Sequence, residues 1–596
     1  MKHTASLSAA ILLTSFLFTL QAKAQGWPAS YGGVMLQGFY WDSYADSQWS
    51  YLESQADDIA PYFSLLWAPP SANANSTGNN MGYYPAYFFN QNSSFGTEAE
   101  LRSMIKAYKQ RGTGIIADVV INHHADNGSK PYNTFFAESY NGTTYQLLSS
   151  DICRNDEISS SATGYSTNYD TGDNDGGCRD LDHKSQNVNT IVKAYEKFLL
   201  EDLGYTGFRY DMVKGYSASF IADYNSSSKP AFSVGENWSG SSTIKSWIDG
   251  TKGTDGIPTS AAFDFQFRYR MRNAVTSNNW TYLSAATAGA EGKPLIQTTD
   301  YRQYAVTFVD NHDMRDNTGD NAPITTRVTA ANAFLLAMPG TPCVFYKHWL
   351  NYKKDIKLMI EARRLAGIQN TSRYDQLQSS TSFYAVKTTG TKGELICVVG
   401  ASPANYNVGT GYTLLCSGSD YRYYINTAAY ADWDATKARI ETEEQEQPFT
   451  PYDVTIYCSA DFTPVYFYAW DTGGTLLGSW PGKQMTQTKQ VDGKTWYYQT
   501  FTIKSADYYF NIIFHQGNNK PQTSDIQRLT TDKYYTATIS GGKVVHNDVT
   551  ATTGIAPAPA LTETPCNTKA RTVSNGRQLF IEKADGKRYT LEGKSF

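Results

Sequence analysis

Three acidic residues stand in chain order, each just after a short β-like run: Asp211 in Gly-Phe-Arg-Tyr-Asp, Glu236 in Gly-Glu-Asn-Trp and Asp313 in Asp-Asn-His-Asp. The C-terminal end of a strand is where a β/α barrel presents catalytic groups. Two carboxylates about 5–5.5 Å apart can cleave a glycosidic bond with retention, one as nucleophile and the other first as acid and then as base. Asp211 and Glu236 are the candidates for that pair. Arg209, two residues before Asp211, shares its strand face and is placed to hold that carboxylate ionised. Glu236 has the opposite need, a proton kept near neutral pH, which desolvation by an apolar wall such as Trp238 favours. An isolated acidic residue is ordinarily a solvated loop carboxylate; three in this order argue for a site.

Such groups converge only if their strands are neighbours in one sheet. From Val34 to about Gly367 the chain alternates short β-rich runs with amphipathic stretches. The runs are Val34 to Tyr40, Gly114 to Ile121, Gly207 to Tyr210, Ala231 to Gly235, Ala305 to Val309 and Thr341 to Tyr346; the helical stretches include Glu98 to Gln110 and Val188 to Leu203. That alternation predicts an α/β fold, a (β/α)8 TIM barrel, over residues 25–370. A polar stretch at about 123–182 interrupts the rhythm after a strand and reads as an inserted loop domain, domain B, on the active face. Short strands separated by Gly, Ser and Asn turns predict a C-terminal antiparallel β domain at 371–432. The acidic run beginning at Glu441 marks a linker assigned to 433–449, and an aromatic-rich β-sandwich follows at 450–549. A Pro/Ala linker at 550–575 and a basic, strand-like tail at 576–596 complete the chain.

Met1-Lys2-His3, the apolar run Leu7 to Leu20 and Ala22-Lys23-Ala24 form a signal-peptide pattern, so residues 1–24 are expected to be removed on export. A spanning helix needs about 20 apolar residues, and no later stretch offers them. A net charge of −5 gives no basic footprint for nucleic acid. The 44 Tyr and 12 Trp, many in polar surroundings, suit ring stacking on sugars, although a β-rich core also uses such rings. The seven cysteines permit disulfides, such as Cys153 with Cys178 or Cys397 with Cys416, without fixing any pairing; Cys343 reads as a buried thiol.

Five motifs, in order over roughly residues 30 to 430, resemble those of the α-amylase family of glycoside hydrolases. They are Asp118-Val-Val-Ile-Asn122-His123, Cys178-Arg-Asp180-Leu-Asp182-His183, Gly207-Phe-Arg209-Tyr-Asp211-Met-Val-Lys214-Gly215, Glu236-Asn-Trp and Phe308-Val-Asp-Asn311-His312-Asp313. The resemblance implies that Asp211 is the nucleophile, Glu236 the acid/base, and Asp313 a third carboxylate that binds sugar hydroxyls and stabilises the transition state. His123 and His312 would donate hydrogen bonds to the same sugar, with Arg209 and Lys214 as further contacts. Met338-Pro-Gly-Thr-Pro-Cys-Val-Phe-Tyr346 and Gly82-Tyr83-Tyr84-Pro are most similar to plant-type members and their bacterial relatives, in which the tyrosine matching Tyr83 stacks on the sugar beside the cleaved bond.

The loop domain gathers Asn155, Asp156, Asp170, Asp173, Asn174, Asp175 and Asp180 with no matching His/Cys set. Such oxygens suit Ca2+, although an Asx-rich turn region without metal has the same composition. The resemblance implies a structural calcium ion held by Asn122, Asn155, Asp170, Asp180 and the backbone carbonyl of Gly215, where many relatives carry His. In the C-terminal unit, Tyr466-Phe-Tyr468-Ala-Trp470, Gly478-Ser-Trp480-Pro-Gly, Ile513-Phe-His-Gln-Gly-Asn-Asn and Gln522-Thr-Ser-Asp-Ile resemble a starch-binding module of the family-26 type. Period-2 alternation sets Tyr466, Tyr468 and Trp470 on one strand face, where with Trp480 and Gln522 they would cradle a glucan; core packing is the competing use of the same rings. The tail weakly resembles a C-terminal extension of secreted proteins in Bacteroidetes-type bacteria.

The reading is a secreted, calcium-dependent, retaining, endo-acting α-amylase acting on α-1,4 bonds of starch and related glucans, expected to work as a monomer without nucleic-acid or membrane partners. Glucan transfer or cyclisation on the same scaffold, and a catalytically silent starch-binding protein, are the alternatives.

Overall fold

The computed structural model describes residues 26–550 apart from 77, 157–162, 174–175, 427–429, 431, 446–450, 492, 506–507 and 519, together with the backbone of three short strands beyond. The expected signal peptide and Pro/Ala linker lie outside the described residues, as do Asn174 and Asp175.

Eight parallel strands close into a barrel in chain order: β1 (Met35–Gln37), β2 (Leu65–Trp67), β3 (Gly114–Val119), β4 (Gly207–Tyr210), β5 (Phe232–Gly235), β6 (Ala261–Phe263), β7 (Ala305–Phe308) and β8 (Thr341–Phe345), with β8 returning to β1. All but Gly114 are buried, as barrel strands flanked by helices must be. The six runs recognised in the sequence are all barrel strands. β2 and β6, of three residues each, are not among those runs; β1 is as short, but it lies within the longer β-rich run Val34 to Tyr40.

The helix Glu98–Gln110 forms as expected: Thr97 and Glu100 make a reciprocal capping box, and Leu101, Met104, Ile105 and Tyr108 bury one stripe against the barrel. The helix Gln186–Lys197 continues as a π-helical turn, Phe198–Leu203, and ends at Gly204, whose φ of +90° suits glycine.

The inserted loop domain joins β3 to β4 and holds small two-stranded pairs, one of which sets His123 opposite Asp180. After the barrel, strands between Arg373 and Ile425 form a five-stranded antiparallel sheet. In it Cys397 and Cys416 flank Tyr423 from opposite sides. Two strand spacings are roughly 9.5 Å, too far for a disulfide, and both remain buried thiols. Cys153 is also a thiol, hydrogen-bonded to Asp170.

The stretch expected as linker from 433 begins instead with a helix, Trp433–Glu443. Its acidic end has a structural use: the 2%-exposed ammonium of Lys357 lies 3.2 Å from Glu443, 2.6 Å from Glu444 and 2.7 Å from Asp58. A buried charge needs such partners. The first compact unit therefore runs to Glu444.

The second unit is a β-sandwich. One sheet has the order 488–491, 494–503, 452–460, 533–540, 543–548, and the other is built on Tyr466–Asp471, Phe510–His515 and Ile526–Leu529. Val454, Ile456, Phe467, Ile512 and Phe514 fill the space between them. In the tail, residues 571–574, 579–582 and 588–590 pair as a small antiparallel sheet.

Candidate active site

Asp211 directly follows β4 and Glu236 directly follows β5, so adjacent strands bring both carboxylates to the C-terminal mouth of the barrel. Arg209 joins them. Its fully buried guanidinium lies 2.7 Å from Asp211 through Nη1 and 2.8 Å from Glu236 through Nη2. Nη1 also donates to Asp118 Oδ1 at 2.7 Å. One cation thus serves three carboxylates. Burial pushes Glu236 up to about 8, with the Asp211 and Asp313 charges adding to the rise and Arg209 and the Met212 N–H opposing it. Burial thus favours the protonated form of Glu236, the form a general acid needs. Trp238, two residues beyond Glu236, stacks its indole on Phe265 at 5.1 Å, and its Nε1 meets the Tyr269 hydroxyl.

Asp118 belongs to the first motif but carried no assigned role. It ends up under the site, accepting from Arg209, from the Tyr83 hydroxyl at 2.8 Å and from Trp67 Nε1 at 3.0 Å. Burial raises its carboxyl to about 6. The sequence did hold a sign of it: a carboxylate inside an apolar strand demands a cationic or donor partner.

Asp313 lies beyond β7, its Oδ2 3.3 Å from His312 Nε2, and burial raises its carboxyl as well. Burial and the nearby Arg209 lower His312 well below the usual imidazole range, so the ring is neutral. Gln37 Nε2 donates to its Nδ1 at 3.0 Å, which leaves Nε2–H facing Asp313. Tyr83, His312 and Trp41 hold their rings within 9° of parallel, at centroid distances of 5.2 to 6.3 Å. Trp41, which drew no notice in the sequence, is capped by the Arg315 guanidinium 3.5 Å from its ring centre. Next to these rings opens a cleft of about 450 Å3, lined by Trp41, His312, Arg315, Lys347, Asn351 and Tyr352.

His123 is buried with Nε2 2.9 Å from the Tyr83 carbonyl, which ties it to the loop carrying Tyr83. Lys214 is ion-paired with Asp173 of the loop domain at 2.8 Å.

The residues expected to hold a metal gather where the loop domain meets the barrel. Asn122 Nδ2 approaches Asp180 Oδ1 at 3.4 Å, and Asn155 accepts from the Asp170 N–H at 2.8 Å. The Asp170 and Asp180 carboxyls are hydrogen-bonded to each other, and burial raises Asp170 above the ordinary carboxylate range. A Cβ at Gly215 would fall 1.8 Å from Asn122 Oδ1, so only glycine lets this backbone and that carboxamide meet. Among the described residues no three His, Cys, Asp or Glu side chains converge as a metal cluster. The donor set is two carboxylates plus amide and carbonyl oxygens, a composition that fits a hard cation and not zinc. Asp156 is committed elsewhere, to Arg179 at 2.9 Å and the Asp180 N–H.

In the second unit the alternation along Tyr466–Asp471 is as read: Phe467 and Ala469 are buried, while Tyr466, Tyr468 and Trp470 are half-buried on the other face. Trp480, 41% exposed, stands edge-on to Tyr468 at 5.3 Å. Behind it lies His515, whose ring stacks on Trp480 at 4.4 Å and on Tyr466 at 5.5 Å. Gln522 is exposed and bridges His515 through its backbone, beside the same row.

Comparison with known proteins places two parts of the chain in described families. The family model described as "Alpha amylase, catalytic domain" matches residues 63–359, and that of "Starch-binding module 26" matches 454–528. "Probable alpha-amylase 2" of Arabidopsis thaliana is 30% identical over 408 residues, covering 65% of this chain and 92% of that one. "Glucan 1,4-alpha-maltotetraohydrolase" of Roseateles saccharophilus is 29% identical over 440 residues, covering 67% and 74%. Among solved structures, Gamma-CGTase from Alkalophilic bacillus clarkii superimposes with a TM-score of 0.51 at 14% identity, over 88% of this chain and 98% of that one, a likeness of fold alone.

Proposed function

The chain belongs to the alpha-amylase family of glycoside hydrolases, and from that premise we propose that it is a starch-hydrolysing α-amylase, endo-acting and retaining. The observation that carries the chemistry is the pair Asp211 and Glu236 bracketing one buried guanidinium, where burial raises the Glu236 carboxyl to about 8.

Asp211 attacks the anomeric carbon while Glu236 gives its proton to the departing glycosidic oxygen, forming a glycosyl-enzyme. Glu236, now a carboxylate, takes a proton from water, and the hydroxide so generated displaces Asp211 with the original configuration restored. Asp313 and the neutral His312 hold hydroxyls of the sugar being cleaved, and Tyr83 offers its ring to that sugar's apolar face. Asp118 and Arg209 fix the charges beneath, so little reorganisation accompanies the developing oxocarbenium character.

Asn122, Asn155, Asp170, Asp180 and the Gly215 carbonyl would hold a calcium ion whose contribution is to fasten the loop domain to the barrel. The half-exposed rings of Tyr466, Tyr468, Trp470 and Trp480, with Gln522 beside them, support glucan binding by the second unit. The N-terminal leader supports export.

The deciding experiment incubates the purified chain with soluble starch, following loss of iodine stain against reducing ends and product anomers by NMR. Rapid stain loss with few new ends and α-anomeric products is expected. Stain loss with few ends even at completion would mean transfer or cyclisation, and no change would leave a starch-binding protein.

A further inference from the structure

Asp310 opens the motif that ends in Asp313, yet it does not reach the catalytic guanidinium. It is 2% exposed, and its carboxylate has three partners from three directions. Arg268 Nη2, on the helix Phe265–Thr276 after β6, lies 3.4 Å from Oδ1. His348 Nε2, on the helix Tyr346–Asn351 after β8, lies 3.3 Å from Oδ2. The Ile324 N–H donates to Oδ2 at 2.9 Å. Arg268, fully buried itself, donates onward to the carbonyls of Asp320 and Ala322.

The consequence is mechanical. Residues 309–327 connect β7 to the next helix, and 315–320 are exposed. One buried charge pair fastens that loop at 320, 322 and 324. Asp313 sits at the head of it with a side chain 24% exposed, held by His312 and by its own N–H to Asn311 Oδ1 at 2.9 Å. Its position therefore depends on where the loop is pinned. Stability alone does not account for burying such a pair, because well-packed apolar residues of equal volume often serve as well.

We propose that Asp310 is a positioning residue for glucan cleavage, acting through Arg268, His348 and the 320–324 segment to hold Asp313 at the barrel mouth. The inference rests on the role given to Asp313 above.

A double-mutant cycle tests it, using the full chain and an aryl maltooligosaccharide substrate, with thermal melting of every variant. Asp310→Asn is expected to lower kcat by about 10- to 100-fold, the scale of a group displaced by about an ångström, with KM changed less than about twofold. In an Asp313→Asn background the same change is expected to cost less than about twofold, since the group it positions is already gone. An equal loss in both backgrounds would overturn the proposal, because a general structural defect multiplies through. Should Asp310→Asn fail to fold, Arg268→Lys keeps the charge but cannot span Asp310 and both carbonyls, and the same background-dependent loss is expected of it. Near-normal activity of Asp313→Asn alone would instead remove the role of Asp313, and with it the premise.

Discussion

At the barrel mouth, Asp118, Asp211, Glu236 and His312 are at most 8% exposed, and they surround a guanidinium with no exposure at all. On the ring face of the second unit, Tyr466, Tyr468 and Trp470 are half-buried and Trp480 is open, backed by an uncharged imidazole that burial keeps below its ordinary range. The first arrangement raises one carboxyl to about 8 beside another that shares the same cation. The second leaves flat ring surface free. Reaction needs charges removed from water so that small displacements change protonation; capture of a polymer needs apolar faces that still meet water. The same residue classes thus serve different ends according to depth.

That contrast can be broken most forcefully at its centre. Asp211→Asn keeps the shape of the site but removes the nucleophile, and starch hydrolysis is expected to fall by about 10⁴-fold or more with an unchanged melting point. A residual rate above about one-tenth of wild type would transfer the role to another group. Next, Glu236 is active as acid when protonated, so kcat/KM is expected to decline as pH rises through about 8. Glu236→Gln is expected to lose about 10²- to 10⁴-fold on starch and to lack that alkaline limb, while substrates whose leaving group needs no proton are largely spared in the first step. A limb that persists in the variant would assign it elsewhere.

Chelation sharpens the comparison by acting on one region only. EDTA is expected to lower the melting temperature of the catalytic unit by several degrees, together with activity, while granule binding by the second unit stays constant. An unchanged melting curve would count against the Asp170–Asp180 site. The smallest effect belongs to the ring face: Trp480→Ala is expected to weaken starch-granule binding about tenfold and to leave turnover of soluble starch as it was. Equal retention on granules by both forms would return Trp480 to the role of a surface ring.

The legible parts of this molecule were those in which one residue type in one local pattern has few alternatives. The helix Glu98–Gln110 shows its capping box and apolar stripe within thirteen residues. Asp211 and Glu236 each follow a strand of four residues whose apolar character survives alone. The three-residue strands β2 and β6 did not show, and neither did the helix Trp433–Glu443, whose charged surface looks like linker until Lys357 is seen beneath it.

Motif order, the barrel class, the three carboxylates and the alternation that faces Tyr466, Tyr468 and Trp470 one way were determined by the sequence itself, since all depend on separations of a few residues. Only the tertiary structure decided that Arg209 is shared by Asp118, Asp211 and Glu236, that Trp238 pairs with Tyr269, and that Lys214 answers Asp173. It also decided that Trp41 joins Tyr83 and His312 as a third parallel ring, and that Arg268 and His348 meet at Asp310. These are contacts between segments far apart in the chain. Whether a carboxylate keeps its proton depends on burial and on neighbours brought there by barrel closure, and no local pattern encodes either.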